Sequence, residues 1–286
     1  MDIYFSFQAA LCFSIAHIMI RRGLVGSNAM TGSFISLSMS AAILWLLLPF
    51  FAPIAALWNP ANLIFVTAGI FAPGIGRTLS YVGIERIGVA RSVPIANASP
   101  IFASVFAVVF LAESWRPQNI AGTLLVITGV VILSLAKPAV GEWRKWDVIY
   151  PIFGAMAFGA SSILRKGGLE YVNVPLLGAA ITAGSAALFS LILLQVQGGK
   201  AVFQLNQRSA RWLFPAGIFN TAAMLSVFYA LSHGKVVIVD PLVSSNPVIT
   251  LLLTAIFLRD VEVLSLRVIF GAVLTVAGTV LVVMVK

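Results

Sequence analysis

Apolar runs of about twenty residues, the length needed to cross a bilayer as a helix, recur from one end of this 286-residue chain to the other. Gly, Pro, Asn and charged residues punctuate them. The runs fall near 3–20, 29–49, 62–84, 92–111, 117–136, 148–164, 174–194, 212–231, 236–257 and 268–285, which gives ten candidate transmembrane helices. They are continuous rather than alternating, and backbone groups in lipid must be satisfied within the segment, so helices are expected and a barrel is not. Only 9% of the residues are charged, against roughly a quarter in a soluble domain. That leaves too little polar surface for a soluble enzyme or a nucleic-acid binder. The fold class is therefore an all-α integral membrane protein, multi-pass, with the lipid bilayer as its surroundings.

The net charge of +9 sits in the short gaps between runs, where charge orients a membrane protein rather than meeting nucleic acid. Cys12 is the single cysteine, which excludes an internal disulfide, a secreted disulfide scaffold and a Cys-based metal site. The N-terminus, Met1-Asp2-Ile3-Tyr4-Phe5, lacks the basic region and small-residue cleavage site of a removable signal.

An internal repeat constrains the topology further. Tyr81 to Glu113 lies over Phe228 to Asp260 at a shift of 147 residues, with Pro94 on Pro241, Pro100 on Pro247 and Phe110-Leu111 on Phe257-Leu258. Beyond a two-residue insertion, Gly122 and Gly129 meet Gly271 and Gly278 at a shift of 149. Near the front, Arg21-Arg22-Gly23 falls on Arg165-Lys166-Gly167. The division is a first repeat over 1–136, a loop over 137–147 and a second repeat over 148–286. Each copy holds five spans. Five is odd, so the second copy enters the bilayer from the opposite side, the inverted arrangement that supports alternating access around a central cavity.

Each half resembles an EamA repeat of the drug/metabolite transporter superfamily. The features are a Tyr/Phe and small-residue stretch, a short break, a Pro-bearing span, a carboxylate, then a Gly-x6-Gly span. They read Tyr81-Val82-Gly83-Ile84, Pro94 to Pro100, Leu111-Ala112-Glu113 and Gly122 to Gly129 in the first half. In the second they read Phe228-Tyr229-Ala230-Leu231, Pro241 to Pro247, Leu258-Arg259-Asp260 and Gly271 to Gly278. The resemblance implies ten helices as two inverted five-helix repeats, a carrier in the cell (inner) membrane, and substrates ranging over amino acids, nucleobases, riboflavin, sugars and drugs. It also implies both termini inside. The charge count implies the reverse, with five basic residues on the side of the termini against twelve opposite.

Polar groups within the spans are the candidate site, because each is costly in lipid. Arg77 follows the Pro73-Gly74-x-Gly76 break, about 12 Å of helix from the end of its span. With Tyr81 and Glu85 it forms a row on one helix face. It reads either as a clamp on an anionic substrate group or as the partner of Glu85 or Asp240. Asn97 and Ser99 lie near Pro94 and Pro100, and Ser245 and Asn246 between Pro241 and Pro247. Proline frees backbone carbonyls, which survive at membrane depth only where buried or lining a cavity, so the two clusters are expected to face each other across the transport path. Interhelical hydrogen bonding is the plainer alternative. His17 and Asn220 complete the candidate substrate-binding set, with Pro73, Pro94, Pro100, Pro241 and Pro247 as helix-break or gating positions. The Gly-x6-Gly helices read as close-packing surfaces.

No Walker, His-Glu-x-x-His, Cys-x-x-Cys or Gly-x-Ser-x-Gly motif is present. No cofactor, no metal site and no enzymatic activity are expected. The first and sixth spans carry no acidic residue, unlike the small multidrug-resistance relatives, which argues against proton-coupled export of lipophilic cations. The expected function is secondary transport of a small polar metabolite, zwitterionic or anionic (an amino acid or organic anion), with import or export left open and the monomer as the working unit. An intramembrane enzyme acting on a lipid or isoprenoid, or a channel-like subunit, is the alternative.

Overall fold

Asn28 and Asn206 each start a long apolar helix, and both do so through the amide side chain. Asn28 Oδ1 accepts from Thr31 N at 2.9 Å, and Asn206 Oδ1 from Ser209 N at 2.8 Å, satisfying backbone donors that the first helical turn leaves without partners. The computed structural model describes residues 1–102, 105, 106, 117–135, 144–234, 239, 242–244, 246–258 and 265–283. Ser245, Pro241 and Asp240 lie outside the described residues, as does most of the inter-repeat loop.

The described residues are helical, with no strand among them. The elements are α1 (Asp2–Leu24), α2 (Ala29–Phe51), α3 (Asn62–Gly69), α4 (Arg77–Ile87), α5 (Val89–Ala96), α6 (Pro117–Leu135), α7 (Ile149–Tyr171), α8 (Pro175–Val196), α9 (Gln207–His233), α10 (Asn246–Phe257) and α11 (Leu266–Val283). Among the described residues, six helical stretches are long and apolar enough to cross a membrane: Asp2–Leu24, Ala29–Phe51, Asn62–Ile87, Lys145–Tyr171, Pro175–Val196 and Gln207–His233. Shorter apolar helices follow near the C-terminus.

The expected break at Pro73 is not an interruption of the helix. Ile70–Gly76 widens to π-helical geometry and joins α3 to α4 as one 26-residue stretch. Proline supplies no N–H, and the wider turn accommodates that loss without leaving helix. Neighbouring helices serve nearby carbonyls: Ser161 Oγ donates to Ala68 O at 2.8 Å and Thr182 Oγ1 to Phe65 O at 3.3 Å. The true interruption lies between Pro94 and Pro100. Helix α5 stops at Ala96, Asn97 and Ala98 form a turn, and helix resumes at 99–102. Pro100 cannot donate to Ala96, which places the turn where the ladder is already open.

Small residues let the helices approach closely, as expected where lipid removes the hydrophobic drive between them. Ala9, Ala10, Ala179, Ala180, Ala183 and Ala230 are fully buried, with Phe65 and Phe228 between them. Helices α1 and α9 pack together, as do α2 and α8, and α6 and α11. In the last pair, a Cβ on Gly129 would stand 2.7 Å from Gly271 O, and one on Gly278 would stand 2.6 Å from Gly122 O. These contacts exchange under the repeat, as two pseudo-equivalent helices meeting face to face require. Trp45 packs over Gly184 of α8 and is 42% exposed, so it belongs to the outer surface and not to the interior.

Candidate functional site

Two helical irregularities bring polar residues to the middle of the bundle. The π-helical turn sets the start of α4, and the Asn97-Ala98 turn opens the chain after α5. Between them and helices α1, α7, α9 and α10 is a cavity of about 140 Å³. Arg77, Tyr81, Asn97, Ser99, Asn220, Asn246 and His17 all line it, with Pro73 and Pro100. Pro94 and Pro247 are buried within α5 and α10 and do not line it.

The cavity residues form two hydrogen-bonded groups. In the first, Ser36 of α2 is the hub. Ser36 Oγ is reached by three donors, Arg77 Nη1 at 3.3 Å, Tyr81 Oη at 3.3 Å and Asn220 Nδ2 at 3.1 Å, and Asn220 Nδ2 also donates to Tyr81 Oη at 3.0 Å. Thr221 Oγ1 bonds Ser40 Oγ at 3.0 Å beside it. In the second, Asn97 and Asn246 exchange amide bonds: Asn246 Nδ2 donates to Asn97 Oδ1 at 2.7 Å and Asn97 Nδ2 to Asn246 Oδ1 at 3.4 Å. This pair joins the first repeat to the second. The repeat register at 147 would have set Ser244 opposite Asn97; Ser244 lines the cavity but Asn246 makes the bond.

The row from Arg77 through Tyr81 to Glu85 divides by role. Glu85 Oε2 accepts from Ala29 N at 3.0 Å, which places its charge at the N-terminus of α2. Arg77 is 7% exposed and, among the described residues, has no carboxylate within ion-pair distance. A buried guanidinium with neutral partners retains donors for a carboxylate or phosphate.

Several residues that line the cavity or bond its lining carry no strong signal in the sequence. Ser36 and Ser80 are ordinary helix serines. Arg165 sits one residue beyond the expected end of the sixth span, yet α7 continues to Tyr171 and turns Arg165 inward. Its Nε donates to Ser161 Oγ at 3.1 Å and its guanidinium lies 5.8 Å from the centre of the Phe228 ring. Cavity charge thus comes from both halves.

The model of the EamA-like transporter family matches residues 2–135 and, a second time, 145–284. No curated protein matches the sequence. Among solved structures 28 chains match. One, described only as the crystal structure of a protein, is 16% identical, with a TM-score of 0.69, covering 98% of this chain and 96% of its own. At that identity the likeness is one of fold.

Proposed function

The chain belongs to the EamA-like transporter family, and from that premise we propose that it is a secondary carrier of a small polar metabolite of the amino-acid or organic-anion class. In this reading ten spans form two inverted five-helix halves in the cell membrane, and the monomer works by alternating access. The cavity is the substrate site. One observation carries the reading: Arg77, buried and held by neutral partners, lines a cavity to which both repeats contribute. Repeats related by inversion have two near-equivalent arrangements, one opening the cavity to each side.

A carrier needs a site whose polar groups orient the substrate while its walls exclude water. Arg77 supplies charge and a planar fork of donors. Tyr81 and Asn220 extend a hydroxyl and amide beside it, and the Asn97–Asn246 pair closes the cavity between the repeats. Phe13, Phe158, Met224 and Val227 form apolar walls. The cavity volume suits a small molecule and not a peptide.

The test is a thermal-shift screen of the purified protein against amino acids, nucleosides, vitamins and organic anions, followed by uptake in liposomes without ATP. Stabilising compounds are expected to exchange across the membrane, and Arg77→Ala is expected to abolish both effects. Normal flux in that variant removes Arg77 from the site.

A further inference from the structure

Coupling is the part of carrier action that the substrate site alone does not explain. Helix α1 carries no acidic residue within its membrane-spanning middle; it carries His17 there. His17 lines the cavity, lies parallel to Phe13 at 6.4 Å between ring centres, and has a buried Nδ1 with no hydrogen-bond partner. The other ionisable groups lining the cavity are Arg77 and Tyr81 from α4 and Arg165 from α7. Helices α5, α9 and α10 present Asn97, Asn220 and Asn246, and no carboxylate lines the cavity among the described residues.

Neutral imidazole offers one donor and one acceptor, whereas the protonated ring donates at both nitrogens. Protonation adds a third positive charge to a cavity that holds Arg77 and Arg165, which in a low-dielectric site is unfavourable unless an anion enters with it. Proton and anion therefore favour each other's binding, and the favour is reciprocal. Resting on the carrier reading above, the geometry points to His17 as the proton site of an anion–proton symporter: the ring takes a proton as a carboxylate-bearing substrate binds at Arg77, and the two cross together.

Radiolabelled pyruvate, succinate and L-glutamate are the probes, in liposomes with an imposed pH difference. A transported monoanion is expected to accumulate on the alkaline side by about tenfold per pH unit, the ratio for one proton per anion. His17→Gln is expected to lose that accumulation and, with it, the dependence of probe-for-probe exchange on pH. Accumulation that persists in His17→Gln overturns the proposal. Because the chain has only two histidines, a His233→Asn variant with labelled histidine reports His17 alone by NMR. A transported probe is expected to shift its protonation midpoint upward, and an unmoved midpoint also overturns the proposal, even where His17→Gln does not fold. If none of the three anions moves but neutral compounds from the screen do, the coupling fails and the carrier stands. If nothing crosses, both fall.

Discussion

Ser36 shows how much of the cavity depends on one small side chain. Its hydroxyl accepts from Arg77, Tyr81 and Asn220, so three residues from two helices are held by a third. A buried polar network of this kind is sensitive to the loss of any member. Ser36→Ala is expected to lower stability by only about 1 kcal/mol, the scale of an interhelical hydrogen bond in a membrane. Affinity for any compound that stabilises the wild type is expected to fall more, since the guanidinium loses its orientation. Paired thermal unfolding and ligand titration read the two effects; equal loss in both would make Ser36 a packing residue. Arg77 was legible in the sequence because a guanidinium deep in lipid needs a reason. Ser36 was not, because a serine on an apolar helix is commonplace interhelical glue. Arg165 was missed for a different reason: hydropathy ended its span at residue 164, whereas α7 carries on past two glycines, and an arginine at an apparent boundary reads as a surface charge.

At the scale of the element, periodicity and punctuation pointed to ten spans, and six helices among the described residues are long and apolar enough to cross a membrane, while the behaviour of proline was harder to read. Pro73 and Pro94 lie within helix and the turn falls at Asn97-Ala98. Which carbonyls a proline frees follows from sequence, but whether a hydroxyl on another helix meets them depends on packing, as Ser161 does for Ala68. The Gly-x6-Gly helices were readable as a packing surface, though not as partners of each other. Their contact makes a sharp prediction. A methyl at Gly129 meets Thr275 and the backbone of Gly271, and backbone cannot rotate away. Gly129→Ala is expected to destabilise by about 1–3 kcal/mol, the usual cost of overpacking. Gly167 is the control, because it lies within helix and a methyl there would meet nothing within 4 Å. Gly167→Ala is expected to be neutral or stabilising by up to about 1 kcal/mol. Detergent melting curves of the two variants compare them directly.

For the whole molecule, the alternating access proposed above requires that ties between the halves at one end give way. At the end holding the α1–α2 turn, Arg22 Nη2 donates to Phe257 O at 2.6 Å, joining α1 to α10. Arg86 Nη1 bonds Asp147 Oδ1 at 2.9 Å, joining α4 to the start of the second half. Asp147 is held in turn by Arg144 N at 3.0 Å, and the Arg86 guanidinium lies 4.8 Å from the centre of the Tyr150 ring. Arg86 is about half exposed, so its pair is worth no more than about 1 kcal/mol, and less in salt. A contribution that small is nonetheless enough for a switch, because about 1 kcal/mol shifts a two-state balance about fivefold. Removing the tie is therefore expected to favour opening at this end without unfolding the protein. In a Cys12→Ser background, Ser80→Cys places a thiol on the cavity wall, and its rate of modification by a charged thiol reagent reports opening. Arg86→Ala and Asp147→Asn are each expected to raise that rate up to about fivefold at low salt, and the double variant no further, because both remove the same bond. Independent, additive increases would mean that Arg86 and Asp147 act on separate neighbours and that this pair does not hold the halves together.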